Sequence, residues 1–252
     1  ALERSSPQAA RIARQGIRIA AGEGPSRLPN VTAELSFQKG WFEVQDEGSQ
    51  IVADLADPRD GEQILDYCAG GGGKTLAMAA AMHNKGQVHA YDADRKRLAP
   101  IIERLKRAGP RNVQVHDSRN GLQGLAGRCD RVLVDAPCTG TGTWRRRPDT
   151  KWRLTAKNLD ERISQQQEAL EQAAEFVRPG GSLLYITCSI LPEQNERQAQ
   201  RFCEAHPDYR IVPALDTWKA HFGDAAPRPR SADGKTVTLT PASTDTDGFF
   251  FC

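Results

Sequence analysis

No run of apolar residues in this sequence approaches the roughly 18 needed for a membrane-spanning helix, and the start Ala1-Leu2-Glu3-Arg4 lacks the apolar stretch of a secretory signal. A membrane or exported protein is therefore not expected. The start also lacks an initiator Met, so the chain reads as a fragment or a processed product. The six cysteines, Cys68, Cys129, Cys138, Cys188, Cys203 and Cys252, form no C-x-x-C pair, and with five scattered histidines they make no metal-ligand pattern. A metal centre is not expected, and reduced thiols in a cytoplasmic protein fit better than disulfides. A formal net charge of only +2 gives no global nucleic-acid signature, so such a partner has to be read from local clusters. There is no internal repeat or low-complexity segment. What is there is enough chain, 252 residues of ordinary composition, to bury one substantial core as a monomer.

The first forty residues combine a basic, helical-looking stretch, Gln8 to Ala21, with a Gly/Pro/Ser-rich turn at Gly22 to Pro29. They do not make a domain alone and read as the remnant of an N-terminal RNA-binding region or linker (1–40) ahead of a catalytic domain (41–252). From Gly61 the pattern alternates: strands at Gln63 to Cys68, Val88 to Asp92, Val113 to His116, Val132 to Asp135 and Leu183 to Thr187, with helices at Thr75 to Met82, Asp94 to Ala108 and about Asn158 to Val177. This is the grammar of a mostly parallel, doubly wound α/β sheet. After a helix starting near Pro192, the runs Tyr209 to Val212, Thr236 to Thr240 and Gly248 to Phe251 read as late strands, partly antiparallel.

Two cysteines stand just beyond apolar strand-like runs, in Asp135-Ala136-Pro137-Cys138 and Ile186-Thr187-Cys188-Ser189. Ligands of open α/β sheets bind at those carboxyl ends, so two thiols there suggest covalent chemistry. Taken singly, each is as readily a packing residue, which is how Cys129 and Cys203 read. The first strand runs into Cys68-Ala69-Gly70-Gly71-Gly72-Gly73-Lys74-Thr75, a loop whose backbone amides can approach a ligand closely. The loop does not fit a dinucleotide fingerprint, because Thr75 or Leu76 falls where the third glycine belongs. It ends like a phosphate-binding loop, but Cys68 replaces that motif's first glycine. It also fits a loop around S-adenosylmethionine, with Asp92 about 20 residues on to hold ribose hydroxyls and Asp117 on the adenine side. A tight turn and capping aspartates would explain each piece alone, but three strand-end carboxylates, Asp92, Asp117 and Asp135, beside one loop are harder to dismiss.

Six segments in order, Gln45 to Gln50, Asp66 to Thr75, Asp135 to Gly142, Arg146 to Trp152, Thr187 to Ser189 and Asp247 to Phe250, resemble the Sun/NSUN family of RNA cytosine carbon-5 methyltransferases, bacterial small-subunit ribosomal RNA type. The likeness runs from about Gly40 onward. It implies a Rossmann-like class I methyltransferase fold, S-adenosylmethionine as methyl donor and a cytosine in RNA as acceptor. It places the cofactor at Cys68, Ala69, Gly70, Gly71, Gly72, Gly73, Lys74, Asp92, Asp117 and Asp135, the nucleophile at Cys188, and at Cys138 the second cysteine that resolves the adduct. The family loop usually reads Ala-Pro where this chain has Gly70-Gly71. Asp135 is the candidate for the pyrimidine N3 edge, and Lys74 for orienting base or cofactor. Trp144, Arg145, Arg146, Arg147 and Lys151 interleave rings and cations, as in single-stranded RNA contacts. Ribosomal RNA ranks before transfer RNA as substrate. The alternatives are a nucleotide hydrolase, a DNA cytosine methyltransferase attacking through Cys138, and a silent RNA-binding scaffold.

Overall fold

The structure, a computed structural model, describes residues 7–19 and 30–252. The chain opens with two short strands, β1 (Gln8–Ala9) and β2 (Ile17–Arg18), paired antiparallel. This corrects the helical reading of Gln8 to Ala21 over the described residues. A turn closed by Ala10 N–H to Gly16 O (2.8 Å) and Gly16 N–H to Ala13 O (3.1 Å) takes up the backbone groups a helix would have used. Ile12 and Ala13 are buried against the main core, and their amides donate to Glu47. The turn expected at Gly22 to Pro29 lies outside the described residues.

Then follow α1 (Leu35–Gln38), α2 (Glu47–Leu55, capped by Asp46 accepting from Gly48 N–H), β3 (Gln63–Asp66), α3 (Gly73–Ala81), β4 (Gln87–Tyr91), α4 (Arg95–Leu98), α5 (Ile101–Ala108), β5 (Val113–His116) and β6 (Cys129–Asp135). The second half holds α6 (Ala156–Ala174, capped by Thr155), β7 (Val177–Thr187), α7 (Glu196–Ala205), α8 (Ala214–Phe222), β8 (Val237–Leu239), α9 (Pro241–Thr244) and β9 (Phe249–Phe251). Two expectations need correction. The helix over Asp94 to Ala108 is two helices, because Pro100 has no N–H to continue the first and caps the second instead. Tyr209 to Val212 forms no strand. Tyr209 is fixed by its ring against Phe202 and by its hydroxyl on Ala174 O rather than by a ladder, and Pro213 follows at the start of α8.

The main sheet has the order β5-β4-β3-β6-β7-β9-β8, parallel from β5 to β7, with β9 antiparallel to both neighbours. Alternate strand residues serve two cores. Ile64, Leu133 and Ile186 pack with α2, α3 and α8, whereas Leu65, Val132, Val134 and Tyr185 pack with α6 and α7. Each fully buried Ile or Leu contributes about 1.5–3 kcal/mol, so burial on both faces fixes the strand registers. Strand order reverses between β3 and β6, and the crevice at that switch point is where an α/β sheet takes its ligand.

One buried polar pair lies outside that crevice. His89 Nδ1 is 3.0 Å from His116 Nε2, and His89 Nε2 is 3.2 Å from Gln63 Oε1. Burial, with His116 alongside, pushes His89 down to about 4 from 6.5. Because the folded value is depressed, the unfolded chain binds the proton more readily, and the stability held above pH 6.5 is lost as pH falls toward 4. Urea unfolding should show a loss on the order of 2–3 kcal/mol across that window that His89→Gln removes. An identical acid slope in the variant would place the loss elsewhere.

Candidate active site

The loop after β3 is built by short-range chemistry. Ala69 N–H donates to Tyr91 O (2.9 Å), and Gly72 N–H turns back to Ala69 O (2.9 Å). Gly72 then starts α3 in the left-handed region, φ 79°, with the place of its missing Cβ only 2.3 Å from Ile101 Cγ1. A side chain there would be both strained and in collision. Asp92, 4% exposed at the end of β4, accepts from Gly70 N–H (2.9 Å) and Asp94 N–H (2.9 Å). Arg104 of α5 donates to Gly71 O (2.8 Å) while paired with Glu43, so the four-glycine loop is held from both sides.

The loop edges a cleft of about 250 Å³ walled by Val44, Gln45, Ser49, Asp66, Cys68, Ala69, Gly70, Gly71, Gly73, Lys74, Arg97, Arg104 and Asp135. Most of the loop and Asp135 thus meet at one place. Asp92 backs the loop without lining the cleft, and Asp117 is exposed beyond it, its carbonyl taking Arg95. Gln45, Ser49, Asp66, Arg97 and Arg104 are wall residues that sequence reasoning did not single out. A strand-end carboxylate directly before a glycine loop was the available signal for Asp66. It is fully buried, Oδ2 accepts from Thr75 (2.7 Å), and Oδ1 has no partner. Burial pushes Asp66 up to about 7, against the pull of Thr75 and Lys74. Lys74 does not reach over the loop as a phosphate-binding lysine does. Its ammonium is buried on Asp135 Oδ2 (2.6 Å) and lies 5.5 Å from the Phe249 ring centroid. Burial opposes that charge, but Asp135 and then Asp66 outweigh it and hold Lys74 above the ordinary lysine range.

Just past this pair the two strand-end thiols meet: Cys138 Sγ is 3.2 Å from Cys188 Sγ. The hydrogen bond from Cys188, aided by Gly140 N–H, pulls Cys138 below the usual thiol range, while Cys138 and burial push Cys188 well above it. The pair thus gives up one proton readily and keeps the other, a property of the two sulfurs together. The strand end does not by itself favour a Cys188 thiolate. Cys68, Cys129 and Cys252 are pushed up by burial. Among the described residues no group of three or more His, Cys, Asp and Glu side chains is placed to hold a metal ion, and no helix is long and apolar enough to cross a membrane.

The basic cluster beyond Cys138 divides in two. Arg145 and Arg146 are paired with buried Asp247, and Arg146 also with Asp46. Arg147 is exposed, and Lys151 lies 5.8 Å and 5.6 Å from the ring centroids of half-buried Trp144 and 82%-exposed Trp152.

Comparison with known proteins gives concordant results. The family model for 16S rRNA methyltransferase RsmB/F matches residues 53–252. The probable ribosomal RNA small subunit methyltransferase B of Synechocystis is 34% identical over 239 residues, 94% of this chain and 51% of its own length. The crystal structure of PH0851 superimposes with a TM-score of 0.83 at 33% identity, covering 99% of this chain and 54% of that one. NSun6 from Pyrococcus horikoshii, crystallised with SFG, gives 0.76 at 28% identity, covering 89% and 55%. The chain spans about half the length of the curated relatives it matches.

Proposed function

Because this chain belongs to the RsmB/F family of 16S rRNA methyltransferases, we propose that it transfers a methyl group from S-adenosylmethionine to carbon 5 of a cytosine in small-subunit ribosomal RNA through a covalent bond to Cys188. The single observation that carries the chemistry is the 3.2 Å approach of two thiols beside the Lys74–Asp135 pair. The cleft fits the cofactor: Gly70, Gly71 and Gly73 present no side chain to it, and the unpartnered Asp66 Oδ1 in its wall suits a positively charged or hydrogen-bonding ligand. SFG, held by the archaeal NSun6, is an analogue of S-adenosylmethionine. When bound, the cofactor supplies the methyl group. Asp92 acts by fixing the loop, with the ribose hydroxyls its proposed ligand.

Carbon 5 of cytosine is a poor nucleophile, and a thiolate added to carbon 6 makes it enamine-like, dividing one barrier into two. In this reading Cys188 gives its proton to the Cys138 thiolate as it attacks. Asp135, hydrogen-bonded by Lys74, is assigned to the N3 edge, where it can accept from the neighbouring exocyclic amine while the Lys74 ammonium offsets the charge that the ring gains on addition. Cys138 then gives the proton it took to solvent and, again a thiolate, accepts the carbon-5 proton after methylation. The electrons of that C–H bond expel Cys188, which recovers a proton from Cys138, so each turnover releases one proton. The target base has to be unstacked to reach these groups. Labelled methyl transferred to small-subunit RNA and recovered as 5-methylcytidine after nuclease digestion tests the proposal. Label in another nucleoside overturns it.

The RNA contact is assigned to the unpaired half of the basic cluster. Replacing Arg147 and Lys151 together with Ala should weaken RNA binding and reduce the salt slope by about 1.4, near 0.7 per phosphate on a single strand. Unchanged cofactor affinity is expected. A slope that moves only with Arg145 and Arg146 would mean that RNA displaces their carboxylate partners.

A further inference from the structure

The motif Asp247-Gly248-Phe249-Phe250 takes no part in the chemistry above, yet it touches both thiol-bearing loops. Asp247 is 0% exposed, and its two oxygens accept from Arg145 Nε (3.1 Å) and Arg146 Nε. These arginines end the segment that begins at Cys138. One residue on, Gly248 N–H donates to Gly142 O (2.8 Å), and Gly142 N–H donates to Cys188 O (3.0 Å). The backbones of Gly142 and Gly248 lie face to face: a Cβ on Gly142 would sit 2.2 Å from Gly248 O, and one on Gly248 would sit 2.6 Å from Gly142 Cα. Thr141 Oγ1 adds a bond to Ser189 Oγ (3.0 Å) and accepts from Ile190 N–H (3.0 Å). The three segments therefore form one closed circuit, fastened by the buried Asp247 carboxylate between two guanidinium groups, of which Arg145 also lies 3.8 Å from Asp245 and Arg146 3.6 Å from Asp46. A buried carboxylate is tolerated when it is paired and hydrogen-bonded, and the pairing here has a definite geometry.

We propose that Asp247 is a positioning residue for the thiol pair: by clamping Arg145 and Arg146 it holds the Cys138 segment at bonding distance from Cys188. In this role it acts through the two arginines and, by way of Gly248, through Gly142. The inference rests on the proposed role of the thiols for its catalytic meaning, but the sulfur geometry can be read without RNA or methyl donor.

The test is the pH dependence of iodoacetamide alkylation at Cys138 and Cys188, followed by peptide mass spectrometry in the full chain. A thiolate, not a thiol, is alkylated, so separating the sulfurs should move the first alkylation midpoint upward and slow the reaction about tenfold at pH 7 in Asp247→Asn. In parallel, kcat for methyl transfer should fall about tenfold, with the KM for RNA and the Kd for S-adenosylmethionine changed less than about threefold; loss of an interaction felt only in the reacting complex has that signature. Should Asp247→Asn fail to fold, Arg145→Gln with Arg146→Gln, whose side chains are 40% and 47% exposed, reads the same circuit from its other end. An alkylation profile that coincides with wild type in a folded variant overturns the proposal. A shifted profile in a chain whose wild type transfers no methyl group upholds the positioning and overturns the function.

Discussion

Cys188→Ala should abolish methyl transfer together with any denaturant-resistant protein–RNA adduct, because no bond to carbon 6 can then form. Cys138→Ala should instead let the adduct accumulate as a slow-migrating band on a denaturing gel. The 3.2 Å sulfur contact sharpens that contrast. In the Cys138 variant the remaining thiol loses the neighbour that pushes it upward, so attack by Cys188 survives. The step that suffers is loss of the carbon-5 proton, and without it the nucleophile cannot leave. Turnover in either variant should fall by at least about 10⁴-fold, the scale on which removal of one member of a covalent catalytic unit acts. The opposite pattern, with the adduct trapped by Cys188→Ala and lost in Cys138→Ala, would make Cys138 the nucleophile in the manner of a DNA cytosine methyltransferase. If neither substitution changes turnover, both thiols are packing residues.

Lys74→Ala should give the largest stability loss of any single change near the cleft. Its ammonium is 8% exposed and neutralises Asp135, with Asp66 close enough to share the field. Removing one partner of a buried ion pair leaves the other charge uncompensated, which costs about 3–5 kcal/mol; Asp135 is 30% exposed, so about 3 kcal/mol is expected here. The sign of the pH dependence is fixed by Asp66, whose folded value, near 7, lies above its unfolded 3.8. A raised carboxylate binds more protons folded than unfolded, so stability falls as pH rises through that window. Without Lys74 the rise is greater still, and the deficit of the variant, measured by urea unfolding, should shrink between about pH 8 and pH 6. Asp135→Asn added to Lys74→Ala should recover part of the loss. A deficit independent of pH would show that the damage is packing around the lysine stem.

The parallel half of the sheet was legible because its strands are short apolar runs bounded by glycine and aspartate, and Val113 to His116 has the bounds expected. The thiols and the glycine loop were legible for a related reason: strand ends in such sheets point at one crevice, so residues far apart in sequence can be assigned to one site. What the sequence hid is set by distant partners. Arg145 and Arg146 read as phosphate ligands, yet their carboxylate lies 102 and 101 residues later. Asp66 read as part of a motif rather than a wall group, because only burial distinguishes it from a capping aspartate. Gln8 to Ile19 has the composition of a helix, but the bonds around Gly16 and the docking of Ile12 on the core decide it otherwise. Tyr209 to Val212 has strand-like residues, but the place beside β7 is taken by β9, and Tyr209 is held instead by its ring on Phe202 and its hydroxyl on Ala174 O.

The position of β9 also bears on when the protein becomes competent. The sheet order places Phe249–Phe251 between β7 and β8, although it is the last of the described strands in sequence. A chain emerging vectorially from the ribosome can assemble the five parallel strands first. At that stage the outer edge of β7, which leads straight to Cys188, has neither its ladder partner nor the Gly248 contact that steadies Gly142. An unpaired edge of this kind invites association with other chains. The Gly248–Gly142 contact beside Cys188 is therefore completed late in synthesis, and a nascent chain released before residue 248 would lack both that contact and the ladder partner of β7.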